Sequence, residues 1–523
     1  MDVARPVLAA LLCVLTTASS TSGATPAPSE SRPGLDLDSA TIPELQHRMT
    51  DGRLTAVELT TAYLRRIDTI DRKVNSVLAI SPDALAEAAE SDIRRHLGRS
   101  LGPLDGIPVL LKDNIDTRAL ASTAGSRALD TPPDHDATLV RRLRGAGAVV
   151  LGKTNLSEWA NSRSTHATSG WSAVDGQTNN PYVLDRNPCG SSSGSGVAVA
   201  ASLAQVAIGT ETDGSIVCPA GQNGVVGHKP SLGLVSRAGV VPVSAEQDTA
   251  GPMARHVVDA AITLSVLQGR DSADPATANY PGDQPTDYAR LLTPGALRGA
   301  RLGLWRPAGH NTAVDKVMRS AVDTLTAAGA TVVEVDLPYQ DQIGAAESPA
   351  LLTEFRHDLE QYLATRRHAP RTLAGLIAFD ERDPVELSKF GQELFVQAQA
   401  APPTTDPAYQ RQRAIATSLA RRSIDEVLAA EHLDAVVAPT NGPAWKTDYS
   451  IGDAFELGSA TPAAVAGYPD VSVPAGFAGP LPLGVSFMAG RWADARVLAF
   501  AAAFEQASNA RKAPGYLPTL PRS

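Results

Sequence analysis

Residues 188–196 have the sequence PCGSSSGSG, and residues 209–220 have the sequence GTETDGSIVCPA. Glycine and serine this dense let the backbone approach a ligand closely and supply hydroxyl groups. The first segment lacks the Gly-Lys-Ser/Thr ending of a phosphate-binding loop. In the second, a turn presents Ser215, and consecutive backbone N–H groups there can form an oxyanion hole. Either segment alone also fits an ordinary loop or turn, but together they favour a serine-based catalytic site.

A lysine follows the first apolar strand of the sequence. Residues 107–111, IPVLL, predict a buried strand, and Lys112 comes directly after it. If Lys112 is buried, it loses its proton more readily, because desolvation disfavours the ammonium form. A neutral lysine is a competent general base for a serine. The alternative is a structural lysine that reaches solvent or pairs with Asp113.

Apolar runs elsewhere alternate with helical patterns. Further strands are predicted at residues 148–151, 204–210, 331–335 and 435–438. This alternation predicts an α/β fold with a largely parallel or mixed sheet. There is no fixed-period repeat, so one domain over residues 35–515 is favoured over several. We expect the helix-rich stretch near 340–430 to be an insertion that forms part of a substrate wall.

The N-terminus predicts an export signal over residues 1–24. Arg5 precedes the apolar run VLAALLCVL at residues 7–15, and small residues follow. Such a run is too short to span a bilayer core of about 30 Å, but it fits a signal peptide. Residues 25–34 then form a flexible lead-in. We therefore expect a secreted or periplasmic protein with no membrane association after signal removal; the alternative is a disordered or buried N-terminal arm.

Composition excludes several classes of partner. The 523-residue chain has a formal charge of −10 and no basic tract, which argues against nucleic acid as a partner. Without the signal, only Cys189 and Cys218 remain, and whether they pair is open. They make a poor zinc site, the histidines are scattered, and no His-Glu-x-x-His motif occurs. We expect neither a metal nor a cofactor.

These residues resemble the amidase signature family. The resemblance extends over essentially the whole chain after the signal, and the spacing from Ser191 to Ser215 is that of the family. It includes further segments with the sequences KTN (153–155), TNNP (178–181), GHKP (227–230), DTAGPM (248–253) and GVSFMAG (484–490). The family implies a mixed β-sheet flanked by helices.

The resemblance also assigns catalytic roles. Ser215 is the expected nucleophile, and Lys112 is the expected base. Ser191, which follows Gly190 through a cis peptide bond in the family, is expected to pass the proton between them. The oxyanion hole is implied to consist of the backbone N–H groups of Thr212, Asp213, Gly214 and Ser215. Losing one such donor typically slows an enzyme by about 10²–10³-fold.

Two departures from the family bear on the substrate. Many members have arginine two residues after the nucleophile, where it can bind a substrate carboxylate, but this chain has Val217. That change disfavours small carboxylated amides and the glutamine of tRNA-dependent amidotransferases. Cys189 replaces the usual glycine before Gly190 and leaves the relay intact.

Within the family, the two serine segments are most similar to bacterial peptide amidases. That branch removes the C-terminal amide of peptides, giving a peptide acid and ammonia, and leaves internal peptide bonds alone. We expect a monomer that acts on a peptide or small-molecule amide. Trp171 and the segment around Tyr362 are candidates to line a peptide cleft, although either aromatic also fits a structural role.

Three other hypotheses fit parts of the sequence. Residues 190–194 match Gly-x-Ser-x-Gly, the nucleophile elbow of α/β-hydrolases, in which Ser192 would attack. That elbow requires a preceding strand, and residues 185–188 are typical of a loop. A second hypothesis is a broad-specificity amidase or esterase acting on aliphatic or aryl amides. The third, from another class, is a non-catalytic binding protein with the same fold.

Overall fold

The computed structural model describes residues 35–521. The described residues from Leu37 onward form one compact unit. The predicted signal peptide and lead-in lie outside the described residues, so the division of the chain into these parts stays a prediction. No helix within the described range is both long enough and apolar enough to cross a bilayer.

A mixed sheet of eleven strands forms the centre of the molecule, with the strand order β1-β3-β2-β6-β8-β7-β12-β13-β11-β9-β10. The strands, including the separate hairpin β4–β5, are β1 (Val77–Ile80), β2 (Pro108–Lys112), β3 (Val149–Thr154), β4 (Trp171–Ser172), β5 (Gly176–Gln177), β6 (Val206–Glu211), β7 (Val226–Lys229), β8 (Thr249–Ala254), β9 (Arg301–Trp305), β10 (Thr331–Val335), β11 (Ala435–Pro439), β12 (Asp470–Ala478) and β13 (Leu481–Met488). Strand β2 is parallel to β3 and β6, and β9 is parallel to β10 and β11, whereas the other pairs are antiparallel.

Helices flank this sheet. They are α1 (Ile42–Thr50), α2 (Ala56–Arg66), α3 (Arg72–Val74), α4 (Ala84–His96), α5 (Thr138–Gly145), α6 (Ser193–Ala200), α7 (Val217–Gln222), α8 (Val257–Leu267), α9 (Thr312–Ala327), α10 (Gln340–Thr365), α11 (Leu373–Asp380), α12 (Glu393–Ala400), α13 (Pro407–Ala430), α14 (Thr461–Ala466) and α15 (Asp494–Ser508). A π-helical turn, Ile67–Asp71, joins α2 to α3, and 3₁₀ turns occur at Glu158–Asn161, Pro275–Asn279 and Ala289–Leu291.

The predicted α/β class with a mixed sheet is confirmed. All five predicted strands are present, with ends that shift by at most three residues. Lys112 is the last residue of β2 rather than the residue after it. Helices α10 to α13 occupy the stretch in which the sequence favours an insertion.

Complete burial explains the composition of the central strands. Every residue of β2, β3 and β6 is buried. Parallel strands covered on both faces are near-continuous apolar runs rather than alternating ones. Helix α6 is also buried along its whole length, and its small residues let it pack closely. A Cβ atom at Gly194 would lie 2.4 Å from the Asn155 carbonyl oxygen, so glycine is required there.

Candidate active site

Lys112 reaches the site from the carboxyl end of β2. The carboxyl ends of the neighbouring parallel strands β2 and β6 meet at the same edge of the sheet, where ligands bind in open α/β sheets. The Lys112 side chain is fully buried. Its Nζ lies 3.1 Å from the carbonyl oxygen of Thr210 and 2.8 Å from Thr210 Oγ1, so β6 fixes the position of the amine.

The structure brings Ser191 into direct contact with this lysine. Lys112 Nζ is 2.7 Å from Ser191 Oγ, and Ser191 is fully buried. The peptide bond between Gly190 and Ser191 is cis, as the resemblance implies. Ser191 and Lys112 therefore form a hydrogen-bonded pair shielded from bulk water.

Burial changes the protonation of Lys112. Desolvation lowers the pKa of its amine to about 7, against the opposing effect of the carboxylates of Asp248 and Glu211. A neutral lysine amine has two N–H donors and one lone pair. Thr210 supplies two acceptors, which leaves the lone pair for the hydroxyl hydrogen of Ser191. This arrangement suits a base that takes a proton from a serine.

Ser215 lies in the turn that follows β6, and 9% of its surface is exposed. The Ser192 backbone N–H donates to the Ser215 carbonyl oxygen at 3.1 Å, which ties the two serine segments together. Glu211 Oε2 accepts from the backbone N–H groups of Ile216 at 2.7 Å and Val217 at 3.0 Å. The first contact holds Ser215 itself, and the contacts with Glu211 hold the two residues that follow it.

The expected oxyanion hole has unengaged donors. Within residues 35–521, none of the backbone N–H groups of Thr212, Asp213, Gly214 and Ser215 donates a hydrogen bond to another residue. Gly214 has φ +79°, a left-handed conformation that glycine adopts without strain. These N–H groups are therefore available to a ligand.

Side chains on this turn are held by distant elements. Thr212 Oγ1 donates to Asp248 Oδ1 at 2.5 Å, and Thr461 Oγ1 donates to Asp213 Oδ2 at 2.8 Å. Burial and the nearby negative charge of Glu347 raise the pKa of Asp213 well above its usual range.

A cavity of about 260 Å³ opens beside the turn. Its walls combine the backbone around the two serine segments, two aromatic side chains and several small polar groups: Asn161, Ser169, Cys189, Gly190, Asp213, Gly214, Val217, Cys218, Thr440, Trp445, Asp453, Phe455, Gly458, Ala460 and Thr461. Trp445 and Phe455 meet edge to face with ring centroids 6.0 Å apart. No lysine or arginine is among the lining residues, so the cavity suits a ligand without a carboxylate.

Cys189 and Cys218, whose pairing the sequence left open, form a disulfide with Cα atoms 6.0 Å apart. Both residues line the cavity. Across residues 35–521 there is no group of three or more His, Cys, Asp or Glu side chains arranged to hold a metal ion.

The aromatic candidates proposed for the cleft do not line this cavity. Trp171 packs edge to face on Phe390, with centroids 5.0 Å apart. The Tyr362 hydroxyl donates to Asp116 Oδ1 at 2.7 Å in the interior. Both aromatics are core residues here, because each has buried partners that account for it.

Sequence reasoning missed the aromatics that do line the cavity, Trp445 and Phe455. They lie on a long loop, residues 440–460, that follows the buried strand β11. A long loop at the end of a core strand is a common place for binding residues. The position of Trp445 and Phe455 on such a loop was the sequence feature that could have identified them as binding residues.

Comparisons with known proteins agree with this geometry. The family model described as Amidase matches residues 58–498. A probable amidase of Arabidopsis thaliana is 39% identical over 499 residues, covering 92% of each sequence. A glutamyl-tRNA(Gln) amidotransferase subunit from Salinispora tropica is 36% identical over 486 residues, covering 90% of this chain and 97% of that sequence.

Among solved structures, the X-ray structure of native peptide amidase from Stenotrophomonas maltophilia is similar to this chain. The two chains are 52% identical and superpose with a TM-score of 0.88, covering 91% of this chain and 99% of that one. The similarity therefore extends through the sheet, the serine segments and the surrounding helices.

Proposed function

The chain belongs to the amidase family, and from that premise we propose that it hydrolyses the C-terminal amide of peptides to a peptide acid and ammonia. The family establishes an amidase; the peptide amide substrate and the catalytic relay are the proposal. The hydrogen bond between Lys112 Nζ and Ser191 Oγ carries the relay, because it joins a buried amine with a pKa of about 7 to a serine hydroxyl. The 52% identity with peptide amidase supports the substrate.

The first half of the proposed reaction forms an acyl-enzyme. Ser215 Oγ attacks the amide carbonyl carbon and gives its proton to Ser191 Oγ, while Ser191 gives its own proton to neutral Lys112. The resulting oxyanion accepts hydrogen bonds from the backbone N–H groups of residues 212–215. The C–N bond then breaks, and the proton on Lys112 returns through Ser191 to the leaving nitrogen, which departs as ammonia.

The second half regenerates the enzyme. A water molecule attacks the acyl carbon and gives a proton to the Lys112–Ser191 pair. The bond from the acyl carbon to Ser215 Oγ breaks, and the proton returns to Ser215 as the peptide acid leaves. A pKa of about 7 suits Lys112 to both steps, because a general acid–base group works best when its pKa lies near the working pH.

The cavity supports a substrate without a charged terminus. Val217 replaces the arginine that binds a carboxylate in many relatives, and it lines the cavity together with Trp445. A peptide amide has a neutral C-terminal end, which fits a cavity without a lining lysine or arginine. We also propose that the protein acts as a monomer in an oxidising compartment after removal of residues 1–24. The Cys189–Cys218 disulfide supports the oxidising compartment, since disulfides persist there.

Mass spectrometry of a peptide amide incubated with the purified protein tests the function. We expect the mass change of –NH₂ becoming –OH, no internal cleavage, and no reaction with Ser215→Ala. The matching N-methylamide is the control substrate, and we expect it to stay intact if the site beyond the scissile bond admits only –NH₂. If the peptide amide stays intact while simple aliphatic or aryl amides are hydrolysed, the protein is instead a broad-specificity amidase.

A further inference from the structure

The disulfide lies between the two segments that carry the proposed relay. Cys189 is two residues before Ser191, and Cys218 is three residues after Ser215. The Cys218 backbone N–H donates to the Gly214 carbonyl oxygen at 2.8 Å, so the first turn of α7 is built on the turn that offers the oxyanion donors. A displacement of Cys218 is therefore transmitted directly to that turn.

Apart from the disulfide, the two segments are joined by hydrogen bonds, including one from Ser192 Oγ to the Thr210 carbonyl oxygen at 3.0 Å. Asn223 Nδ2 donates to the carbonyl oxygens of Pro188 at 2.8 Å and Pro219 at 2.7 Å. The Ser192 N–H donates to the Ser215 carbonyl oxygen at 3.1 Å. Each such hydrogen bond contributes only about 0.5–1.5 kcal/mol net. The disulfide is the covalent connection between the segments.

The backbone at Cys189 gives a second, independent observation. Its φ is +58°, in the left-handed region that side chains with a Cβ rarely occupy. Glycine, the residue that the family resemblance implies at this position, occupies it freely. A cysteine at this position is therefore unfavourable for the backbone unless its side chain does something that glycine cannot, and here it forms the disulfide.

The disulfide also forms part of the cavity wall. Cys189, Cys218 and Trp445 pack together in one cluster, and each is less than a tenth exposed. Both cysteines face the cavity beside the oxyanion turn. A peptide in the cavity would therefore cover the disulfide from solvent.

We propose that the Cys189–Cys218 disulfide is a positioning element of the catalytic relay, so that the enzyme is active when oxidised and impaired when reduced. This inference rests on the proposed function. A dithiol reductant transfers two electrons and two protons to the disulfide, which gives two cysteine thiols and the cyclic disulfide of the reductant. Reduction removes the covalent connection, so that only hydrogen bonds and packing then hold the Ser191 segment relative to Ser215. A misplacement of about 1 Å can slow an enzyme on the order of 10²-fold.

The first test compares oxidised and dithiothreitol-reduced enzyme under anaerobic conditions, with the thiols counted by mass spectrometry. The readouts are kcat, KM and the rate at which a fluorophosphonate labels Ser215, all measured well below the unfolding temperature. We expect reduction to lower kcat and the labelling rate by about tenfold or more, and reoxidation to restore both. If the disulfide is purely structural, its reduction would lower the unfolding temperature and leave kcat and the labelling rate unchanged. That result would overturn the proposal.

A variant and a protection measurement complete the test. Cys189→Gly with Cys218→Ala keeps the left-handed backbone and removes the disulfide. It should have a low labelling rate that reductant does not change, and a rate equal to that of the oxidised enzyme would overturn the proposal. In Ser215→Ala, a saturating peptide amide should slow reduction of the disulfide, and an equal rate would show that substrate does not cover it. Labelling needs no peptide substrate, so a wrong substrate assignment leaves the labelling comparison intact.

Discussion

Lys112 Nζ and Ser191 Oγ lie 2.7 Å apart although 79 residues separate them in the sequence. Both side chains are fully buried, and the pair lies where strand β2 ends beside strand β6. A lysine held in this way has a pKa near neutrality because water no longer stabilises its ammonium form. The pair therefore has the position and the protonation equilibrium that a base for a serine hydroxyl requires.

Replacement of Lys112 by methionine should remove catalysis and leave the fold intact. Methionine has a similar length but no basic nitrogen, so the Ser191 hydroxyl loses its proton acceptor. We expect kcat/KM to fall about 10²–10⁴-fold, the range of general acid–base catalysis. Kinetics on a peptide amide and circular dichroism of the same sample check this. Folded Lys112→Met with full activity would show that the lysine is only structural.

Lys153→Met is the matched control for removing a buried lysine. Lys153 lies 3.4 Å from Asp113 Oδ1 and donates to Ser122 Oγ at 2.9 Å rather than to a serine of the relay. We expect a lower unfolding temperature, because the partner carboxylate loses its counter-charge. Its loss of kcat/KM should be far smaller than that of Lys112→Met.

Activity should rise with pH through the pKa of Lys112. Below about 7 the amine is an ammonium ion and cannot accept a proton from Ser191, and above about 7 it is neutral and can. A profile of kcat/KM from pH 5 to 9 reports the free enzyme, so its acid limb should have a midpoint near 7. A profile that is flat across this range would contradict the assignment of Lys112 as the base.

The position of this acid limb should respond to Asp248. Its negative charge raises the pKa of Lys112 in opposition to burial. Asp248→Asn removes the charge and keeps the shape of the side chain, so the midpoint should move to lower pH. A midpoint that stays in place would mean that another group controls the limb.

Phe455→Ala tests the cavity as the binding site for the peptide. Phe455 is 53% exposed, lines the cavity and contacts Trp445 edge to face, so its loss should not unfold the protein. Loss of apolar contact worth about 1 kcal/mol should raise KM about fivefold with little change in kcat. Ile451→Ala is the control, since Ile451 is 61% exposed on the same loop but outside the cavity lining. Equal KM values for both variants would place the peptide elsewhere.

The sequence predicted the α/β class, five strands of the central sheet and a contact between Lys112 and the first serine segment, which the structure shows. Buried strands have continuous apolar runs, so β2 and β6 were visible as segments, and Lys112 could be placed at the end of the first. Parallel pairing of these strands then brings Lys112 to Thr210. The family and the α/β class were identified from the residues around them, and both are confirmed.

The cavity walls could not be predicted in the same way. Trp171 and Tyr362 have no local pattern that separates a core aromatic from a ligand-binding one, and their buried partners, Phe390 and Asp116, are far away in the sequence. Loop residues such as Trp445 lie in segments without a helix or strand periodicity, so no pattern shows which way their side chains face. The pairing of Cys189 with Cys218 likewise depends on a distance that only the folded chain defines.

The most direct test of the relay is to identify the serine that reacts. A fluorophosphonate forms a stable covalent adduct with an activated serine, and peptide mapping by mass spectrometry locates it. The matched control is Ser195→Ala, in the same serine-rich segment. Ser195 Oγ donates to the Ile208 carbonyl oxygen at 3.2 Å, so its loss should lower stability by about 1 kcal/mol and leave labelling intact.

We predict one adduct on Ser215, absent in Ser215→Ala and formed much more slowly in Lys112→Met. An adduct on Ser192 or Ser191, or labelling that persists in Ser215→Ala, would contradict the Lys112–Ser191–Ser215 relay.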